Sequence, residues 1–143
     1  MTDDRIVLNA PIGYGESVEG EVLVSSEAFS PRYDLDRETG EISRKGHAIE
    51  GVRIAGKILV VPAAKGGVAA GWAFYDLRQR GIMPLAIICR KTNPVFVQGC
   101  VLAGISIMHE LNPDPVTELR TGDRVRMEPK AGTVTVLERT GDK

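Results

Sequence analysis

The sequence predicts a three-layer α/β domain: a small parallel sheet with helices on one side and antiparallel strands from the two chain ends on the other. The middle of the chain runs strand, helix, strand, helix, strand, and right-handed crossovers turn this order into a parallel sheet. Both ends instead carry strands in which apolar and polar residues alternate. We expect one domain in the 143 residues, ordered over about 17–138, with frayed ends at 1–4 and 139–143.

The three middle strands are short and almost entirely apolar. The run KILVVPA forms the first, Lys57–Ala63; PLAIICR forms the second, Pro84–Arg90; and ISIM forms the third, Ile105–Met108. Continuous apolar runs of this length are typical of strands that are covered on both faces. These strands therefore form the central layer.

Two helices are predicted between these strands. The first ends at Gly81, and the second has Asn93 as its N-cap, Pro94 at its first position and Gly104 at its end. The first helix carries two apolar stripes, both of which we expect to be buried: Val68, Trp72 and Tyr75 on one, and Ala70, Phe74 and Leu77 on the other.

The two chain ends supply the antiparallel strands. Alternation over Ser17–Glu27 predicts a strand with one buried face, and Gly122–Glu138 reads as a hairpin around the turn Pro129–Gly132. Between the first strand and the middle, Ser30–Gly51 is rich in charges and turn formers. We expect it to be a long polar loop, which in a compact domain is usually functional or disordered.

Composition excludes several classes of function. The net charge of -1 and an aromatic content of 5% give no footprint for nucleic acid. No apolar run is long enough for a membrane span and no leader is recognisable, so we expect a cytoplasmic protein that binds no membrane. The two cysteines, Cys89 and Cys100, sit in apolar runs as reduced, buried thiols. Two cysteines alone cannot hold a zinc ion or an iron–sulfur cluster, so no metal site or cofactor is expected in this chain.

The most suggestive site is the loop between the first middle strand and its helix. Ligands of open α/β sheets bind beyond the carboxyl ends of the strands, and here Lys65, Gly66 and Gly67 lead directly into a helix N-terminus. Free N–H groups at such an end favour an anion. The alternative is a tight turn with Lys65 in water. The spacing matches neither a P-loop nor a dinucleotide fingerprint.

Other polar residues follow the neighbouring strands. Arg90 could clamp a carboxylate or simply close its strand, and we expect Lys65, Arg90 and Asn93 to face one cleft. His47 is expected to be solvated in the polar loop. His109 has Glu110 beside it, but neighbours on an extended segment face opposite ways, which is poor geometry for an acid–base pair.

Three motifs carry a resemblance to a known family: ETGEISRKGHAIEG, the run IAGKILVVPAAKGGVAAGW with its glycine loop, and PLAIICRKTNPVFVQGCVLAGISI. Together they resemble the small subunit of aconitase X enzymes, over about residues 20–137. The resemblance implies a swivelling β/β/α domain and a large catalytic partner subunit that carries iron or an iron–sulfur cluster. It also implies a hydro-lyase acting on a small anionic hydroxy compound, since some members dehydrate a hydroxyproline and archaeal ones dehydrate phosphomevalonate.

Family members remove the proton with a serine in a loop of the type Pro-Gly-Gly-Arg-Gly-Ser-Ser. In this chain Lys65 and Gly66 correspond to its arginine and last glycine, and Gly67 and Val68 to its serines. Neither glycine nor valine can act as a base, so the catalytic group is unassigned. The base comes from the large subunit, or Lys65 has taken the role, or the reaction differs. The predicted substrate-binding residues are Lys65, Gly66, Gly67, Val68, Arg90 and Asn93.

Two other functions stay open. The ending TGDRVRMEPKAGTVTVLE also resembles the close of phosphohistidine swivelling domains, which would make the chain a carrier or binding module. Such a carrier needs a histidine in its glycine loop, and this loop has none. A purely regulatory subunit is the third alternative. If the loop binds substrate, valine at Gly66 is expected to block it while leaving the fold intact.

Overall fold

The computed structural model describes residues 6–11 and 13–139. Residues 1–4 and 140–143, which were expected to fray, lie outside this part. Arg139, also assigned to the frayed end, donates a hydrogen bond to the buried Asp123 at 2.8 Å. The strands and helices of the described part, in chain order, are β1 Val7–Asn9, β2 Val18–Val24, α1 Pro31–Asp34, β3 Leu35–Asp36, β4 Glu41–Ile42, β5 Ile58–Ala63, α2 Val68–Arg80, β6 Ala86–Lys91, α3 Pro94–Ala103, β7 Ser106–His109, α4 Pro115–Glu118, β8 Arg124–Glu128 and β9 Thr133–Glu138.

Seven of these strands form one continuous sheet in the order β1-β9-β8-β2-β5-β6-β7. Strand β2 belongs to both halves of it: residues 18–21 pair antiparallel with β8, and residues 22–24 pair parallel with β5. Beyond β2, one half contains only antiparallel pairs and the other only parallel pairs. The strand thus joins the two sheet layers that the sequence predicts.

Two hydrophobic clusters separate the three layers. Along β5, Leu59 and Val61 belong to the cluster under the helices, whereas Ile58 and Val60 belong to the cluster shared with the antiparallel strands. All four side chains are fully buried. Because successive strand residues point to opposite faces, this arrangement explains the continuous apolar runs. The predicted three-layer architecture is confirmed.

The two long helices begin and end where the sequence predicts. Asn93 accepts a hydrogen bond from the Phe96 N–H at 2.9 Å and caps α3, while Gly81 and Gly104 end α2 and α3 in the left-handed conformation. The helices cross where Gly71 meets Gly99, and a Cβ on Gly99 would lie 2.8 Å from the Gly71 Cα. No helix in the described part of the chain is long and apolar enough to cross a membrane.

The prediction that both stripes of α2 are buried is wrong. The stripe that includes Ala70, Phe74 and Leu77 faces the core, but Val68, Trp72 and Tyr75 are 70%, 65% and 48% exposed. The sheet and α3 cover one side of α2 only. An apolar residue on the opposite side therefore stays at the surface.

The segment predicted as a long polar loop, Ser30–Gly51, is a small folded unit. It contains α1 and a two-stranded hairpin, β3–β4, in which Leu35 pairs with Ile42. Both of these side chains are buried in the cluster under the helices. The apolar residues are too widely spaced to produce a periodic pattern, which is why the sequence did not reveal them.

Two further elements were missed. Strand β1, with Leu8 fully buried, extends the sheet on the outer side of β9, ahead of the expected start near residue 17. Helix α4 has Asp114 as its N-cap, accepting from the Val116 N–H at 3.0 Å. Elements of three and four residues are too short for a hydrophobic period to be read.

Candidate functional site

The loops that follow β5, β6 and β7 meet at one edge of the parallel sheet. The register places Ala63 beside Lys91 and Cys89 beside His109, so the three strands end close together. Helix α2 starts after Gly67. Within the described part of the chain, the N–H groups of Gly67, Val68 and Ala69 have no hydrogen-bond acceptor. These donors point out of a helix N-terminus, the arrangement that binds anions.

Lys65 lies on this edge with its side chain exposed and no ion-pair partner among the described residues. A cation close to a helix N-terminus is opposed by the helix dipole by about 0.3–1 kcal/mol. A bound anion would reverse the sign of this interaction, because it would attract both the lysine and the N–H groups. The loop and Lys65 together can therefore hold a carboxylate or a phosphate.

Asn93 connects this loop to the next one. Its Nδ2 donates to the Gly66 carbonyl at 3.1 Å, while its Oδ1 caps α3. Beside it, the Thr92 hydroxyl donates to the Ala64 carbonyl at 3.2 Å. The amide of Asn93 is thus used within the protein, and it positions the backbone of the glycine loop.

The two glycines of the loop differ in the space around them. Gly66 has a φ of +154°, which side chains rarely adopt, and a Cβ there would lie 2.6 Å from the Ala70 Cβ. A Cβ on Gly67 would meet nothing within 4 Å. The expectation that valine at Gly66 leaves the fold intact is therefore wrong, because the side chain would collide with α2. Gly67 has room for a side chain.

A second segment supports the loop from behind. The Phe29 N–H donates to the Ala63 carbonyl and the Lys65 N–H donates to the Phe29 carbonyl, both at 2.9 Å. His47 holds this segment, because its Nε2–H donates to the Ala28 carbonyl at 3.0 Å. The Ile49 N–H donates to Nδ1 of the same ring at 3.2 Å.

His47 is therefore buried, with both ring nitrogens engaged, and the expectation of a solvated histidine is wrong. It is 4% exposed in the small folded unit that replaces the expected loop. His47 lies within GHAIEG, part of one of the motifs that carry the family resemblance, and this motif is the feature of the sequence that could have indicated its structural role.

A buried carboxylate, Asp34, organises the same unit. It accepts from the Ser30 N–H at 2.8 Å and from the Arg44 guanidinium, and its Oδ2 lies 3.6 Å from His47 Nε2. Arg44 also bonds to Glu27, and this hydrogen bond lowers the pKa of Glu27. These polar groups hold residues 27–50 together, in addition to the burial of Phe29, Leu35 and Ile42 in the core.

Arg90 is held away from the glycine loop. Its Nε and Nη2 form a two-pronged pair with Asp114, each at 2.8 Å, and this pairing lowers the pKa of the Asp114 carboxyl. Cys89 faces the helix layer, so Arg90, the next residue along β6, faces the antiparallel side. The structure thus brings Asn93 to the Lys65 loop but commits Arg90 to another partner.

His109 lines a cavity of about 610 Å³ together with Tyr14, Asn93 and Gln98. Its Nδ1 lies 3.9 Å from a carboxylate oxygen of Glu110. The sequence predicts that these neighbours face opposite ways. Glu110 instead adopts a φ of 59°, which turns its side chain back towards the histidine.

The described part of the chain offers no ligand set for a metal ion. Among the described residues, no three His, Cys, Asp or Glu side chains cluster as a metal would require. Both cysteines are buried, and burial raises the pKa of Cys89 to about 12 and that of Cys100 still further. Thiols held this firmly in the protonated form are poor metal ligands and poor nucleophiles.

The fold corresponds to that of a swivelling domain. The crystal structure of Thermococcus kodakaraensis aconitase X in its holo form superposes with a TM-score of 0.85 at 32% identity, covering 93% of this chain and 99% of the matched one. A family model described as the aconitase X swivel domain matches residues 8–136. The chain belongs to this family.

Curated relatives carry a more specific name. The phosphomevalonate dehydratase small subunit of Methanopyrus kandleri is 38% identical over 114 residues, which is 80% of this chain and 84% of the relative. The protein of the same name from Pyrococcus horikoshii is also 38% identical, over 84% of this chain and 87% of the relative.

Proposed function

We propose that this chain is the small subunit of a phosphomevalonate dehydratase of the aconitase X type, active only with a large catalytic subunit. The observation that carries the proposal is the α2 N-terminus, where N–H groups without acceptors and the exposed Lys65 lie in the glycine loop and could together bind an anion. The names of the relatives support the substrate. The phosphate or carboxylate of the substrate binds the N–H groups of Gly67 and Val68 and pairs with Lys65.

Dehydration removes a proton from one carbon and a hydroxyl group from its neighbour. The electron pair of the broken C–H bond forms the double bond, and the hydroxyl leaves as water. This chain contributes binding and orientation: the backbone donors fix one end of the substrate, and Asn93 and Phe29 hold the loop in place.

The large subunit supplies the remaining chemistry. Gly67 carries no group that can accept a proton, so we assign the base to the partner. Iron or an iron–sulfur cluster, which would polarise the leaving hydroxyl, is also assigned to the partner, because the described part of this chain offers no ligand set.

A phosphohistidine carrier is disfavoured by the positions of the histidines. Both ring nitrogens of His47 are bonded inside the domain, so neither is available to phosphate. His109 lies beside Glu110, whose negative charge would repel a phosphoryl donor.

Co-expression with the large subunit encoded in the same organism tests the proposal. We expect the two chains to co-purify and to dehydrate phosphomevalonate, and we expect neither chain to do so alone. Intact mass after incubation with phosphoenolpyruvate and a phosphotransfer kinase domain should show no added phosphate. Two chains that fail to associate at micromolar concentration, or a phosphorylated histidine, would refute the proposal.

A further inference from the structure

The outward sides of α2 and α3 form a single apolar surface, which we call the α2–α3 face. Among the described residues, ten large apolar side chains are exposed, and six of them lie here. Their exposed fractions run from 41% at Val95 to 72% at Leu102. The six are Val68, Trp72, Tyr75, Val95, Val101 and Leu102. Exposed apolar residues concentrated in this way mark an interaction surface, whereas scattered ones need no explanation.

A groove of about 610 Å³ runs along this face. Its floor is glycine backbone, because Gly71 and Gly99 let the two helices touch. The lining residues carry no charge, and their polar side-chain groups are the amide of Gln98, the indole N–H of Trp72 and the hydroxyl of Tyr75. Within the described part of the chain, no residue that lines the groove forms an ion pair, and the pair on α2, Arg80 with Asp76, lies outside this lining.

We propose that the α2–α3 face binds the large catalytic subunit, with aliphatic or aromatic side chains of that subunit seated in the groove. This inference rests on the proposed function. Gly67 and Val68 belong both to the anion site and to the groove. A partner that brings a catalytic group to a substrate bound at Gly67 must therefore also lie over the end of the groove that begins at Gly67 and Val68.

A second copy of this chain is a poorer occupant. Seated in the groove it would cover Gly67 and Val68 and would close the anion site. The lining carries no charged side chain, so a buried interface here leaves no unpaired charge. The large subunit is the better occupant, because it can cover the uncharged groove and at the same time present its catalytic groups to the anion site.

Trp72 offers a direct probe, because it is the one tryptophan in the sequence and lies in the groove. The chain is labelled with 5-fluorotryptophan and its single fluorine resonance is followed by NMR. We expect the resonance to shift when unlabelled large subunit is added, and to stay constant when the free chain is diluted. If size-exclusion chromatography shows that the complex forms but the fluorine resonance does not change, the inference is overturned while the proposed function stays intact. A resonance that moves on dilution would assign the face to a second copy instead.

Two matched substitutions provide an independent test. Leu102→Asp puts a charge on the face, and Val52→Asp puts one on an apolar residue that is 37% exposed away from it. We expect Leu102→Asp to weaken binding of the large subunit by about tenfold or more, measured by calorimetry, and Val52→Asp to change it by less than about twofold. Circular dichroism confirms that both variants are folded. Equal affinities for the two variants contradict the proposal. Absence of binding by the unsubstituted chain would refute the proposed function as well.

Discussion

The side chain of Asn93 ties the N-termini of two helices together, donating from Nδ2 to the Gly66 carbonyl at 3.1 Å and accepting from the Phe96 N–H at 2.9 Å. The two groups it joins lie in different crossovers of the sheet. One side chain therefore fixes the start of α3 and, at the same time, the backbone that leads into α2.

Separating these two contacts gives a first prediction. Asn93→Ala removes both and should lower the free energy of unfolding by about 1–2 kcal/mol. Asn93→Asp keeps an acceptor for the Phe96 N–H but cannot donate to Gly66. It should be more stable than the alanine variant. Its KM should rise about fivefold, which corresponds to a loss on the order of 1 kcal/mol in substrate binding. Urea unfolding and steady-state kinetics of the heteromer measure the two effects. An aspartate variant with the KM of the unsubstituted enzyme would show that this contact does not position the loop.

Removing the charge of Lys65 should weaken substrate binding. Lys65→Ala loses one charged hydrogen bond to the anion, which costs about 1–3 kcal/mol in kcat/KM. Lys130→Ala, at an exposed lysine in the β8–β9 turn, is the matched control and should leave kinetics unchanged. Both variants should assemble normally with the large subunit. If the two behave alike, Lys65 is an ordinary solvated lysine.

Serine at the two loop glycines should have opposite effects on stability. Gly66→Ser forces a side chain against Ala70 at an unfavourable φ and should cost about 1–3 kcal/mol. Gly67→Ser enters open space at the N-cap of α2 and should change stability by a few tenths of a kcal/mol in the favourable direction. Thermal unfolding separates them. The second variant also places a hydroxyl where the family resemblance leads us to expect a serine, so we expect an altered kcat without loss of assembly. Equal melting temperatures would contradict the glycine geometry.

His47 should control the rigidity of the glycine loop. His47→Leu leaves the Ile49 N–H and the Ala28 carbonyl without their partner, whereas His47→Gln retains a donor for the carbonyl. Amide hydrogen exchange at Lys65 reports on the loop, because that N–H bonds to Phe29. We expect faster exchange in the leucine variant and a smaller change with glutamine. If the exchange rate of the Lys65 amide changes only in proportion to the global stability of each variant, His47 does not specifically support the loop.

The buried thiols should make the protein less stable at alkaline pH. Burial raises the pKa of Cys89 to about 12, whereas in the unfolded chain it is about 8.5. Above the unfolded value the native state binds more protons than the unfolded state, so stability falls as pH rises, by up to about 1.4 kcal/mol per pH unit for each thiol. Urea midpoints at pH 8 and pH 10 test this, and the decline should be shallower in Cys89→Ala. An equal decline in both proteins would rule out this origin.

The middle of the fold could be predicted because its signals are local. Continuous apolar runs identified β5, β6 and β7, and Asn93 and Gly104 marked the ends of α3 through their own backbone requirements. The position of the glycine loop followed from this topology alone. The family resemblance then suggests the chemistry that we propose for it.

Other features depend on contacts that a single sequence does not show. Asp34 and His47 are polar residues buried by partners at a distance, so their composition resembled that of a loop. The pairing of Arg90 with Asp114 joins residues 24 positions apart, and no local pattern indicates it. The exposure of Trp72 depends on which side of α2 the sheet covers. Because α2 carries two apolar stripes with no charged stripe between them, the sequence does not show which of the two faces the core.

Strand β2 has a consequence for how the chain folds during synthesis. Its later residues pair with β5, which follows within the first half of the chain, but Glu19 bonds to Arg126, 107 positions later. On the ribosome the parallel layer and its helices can assemble while the antiparallel partners have yet to emerge. Until then the apolar face of Ile58, Val60 and Ile88 lacks the part of its cover that β8 and β9 provide, and the first half of β2 presents an open edge. Chains cut short before β8 should therefore aggregate during translation, so the domain becomes soluble only after β8 and β9 have been synthesised.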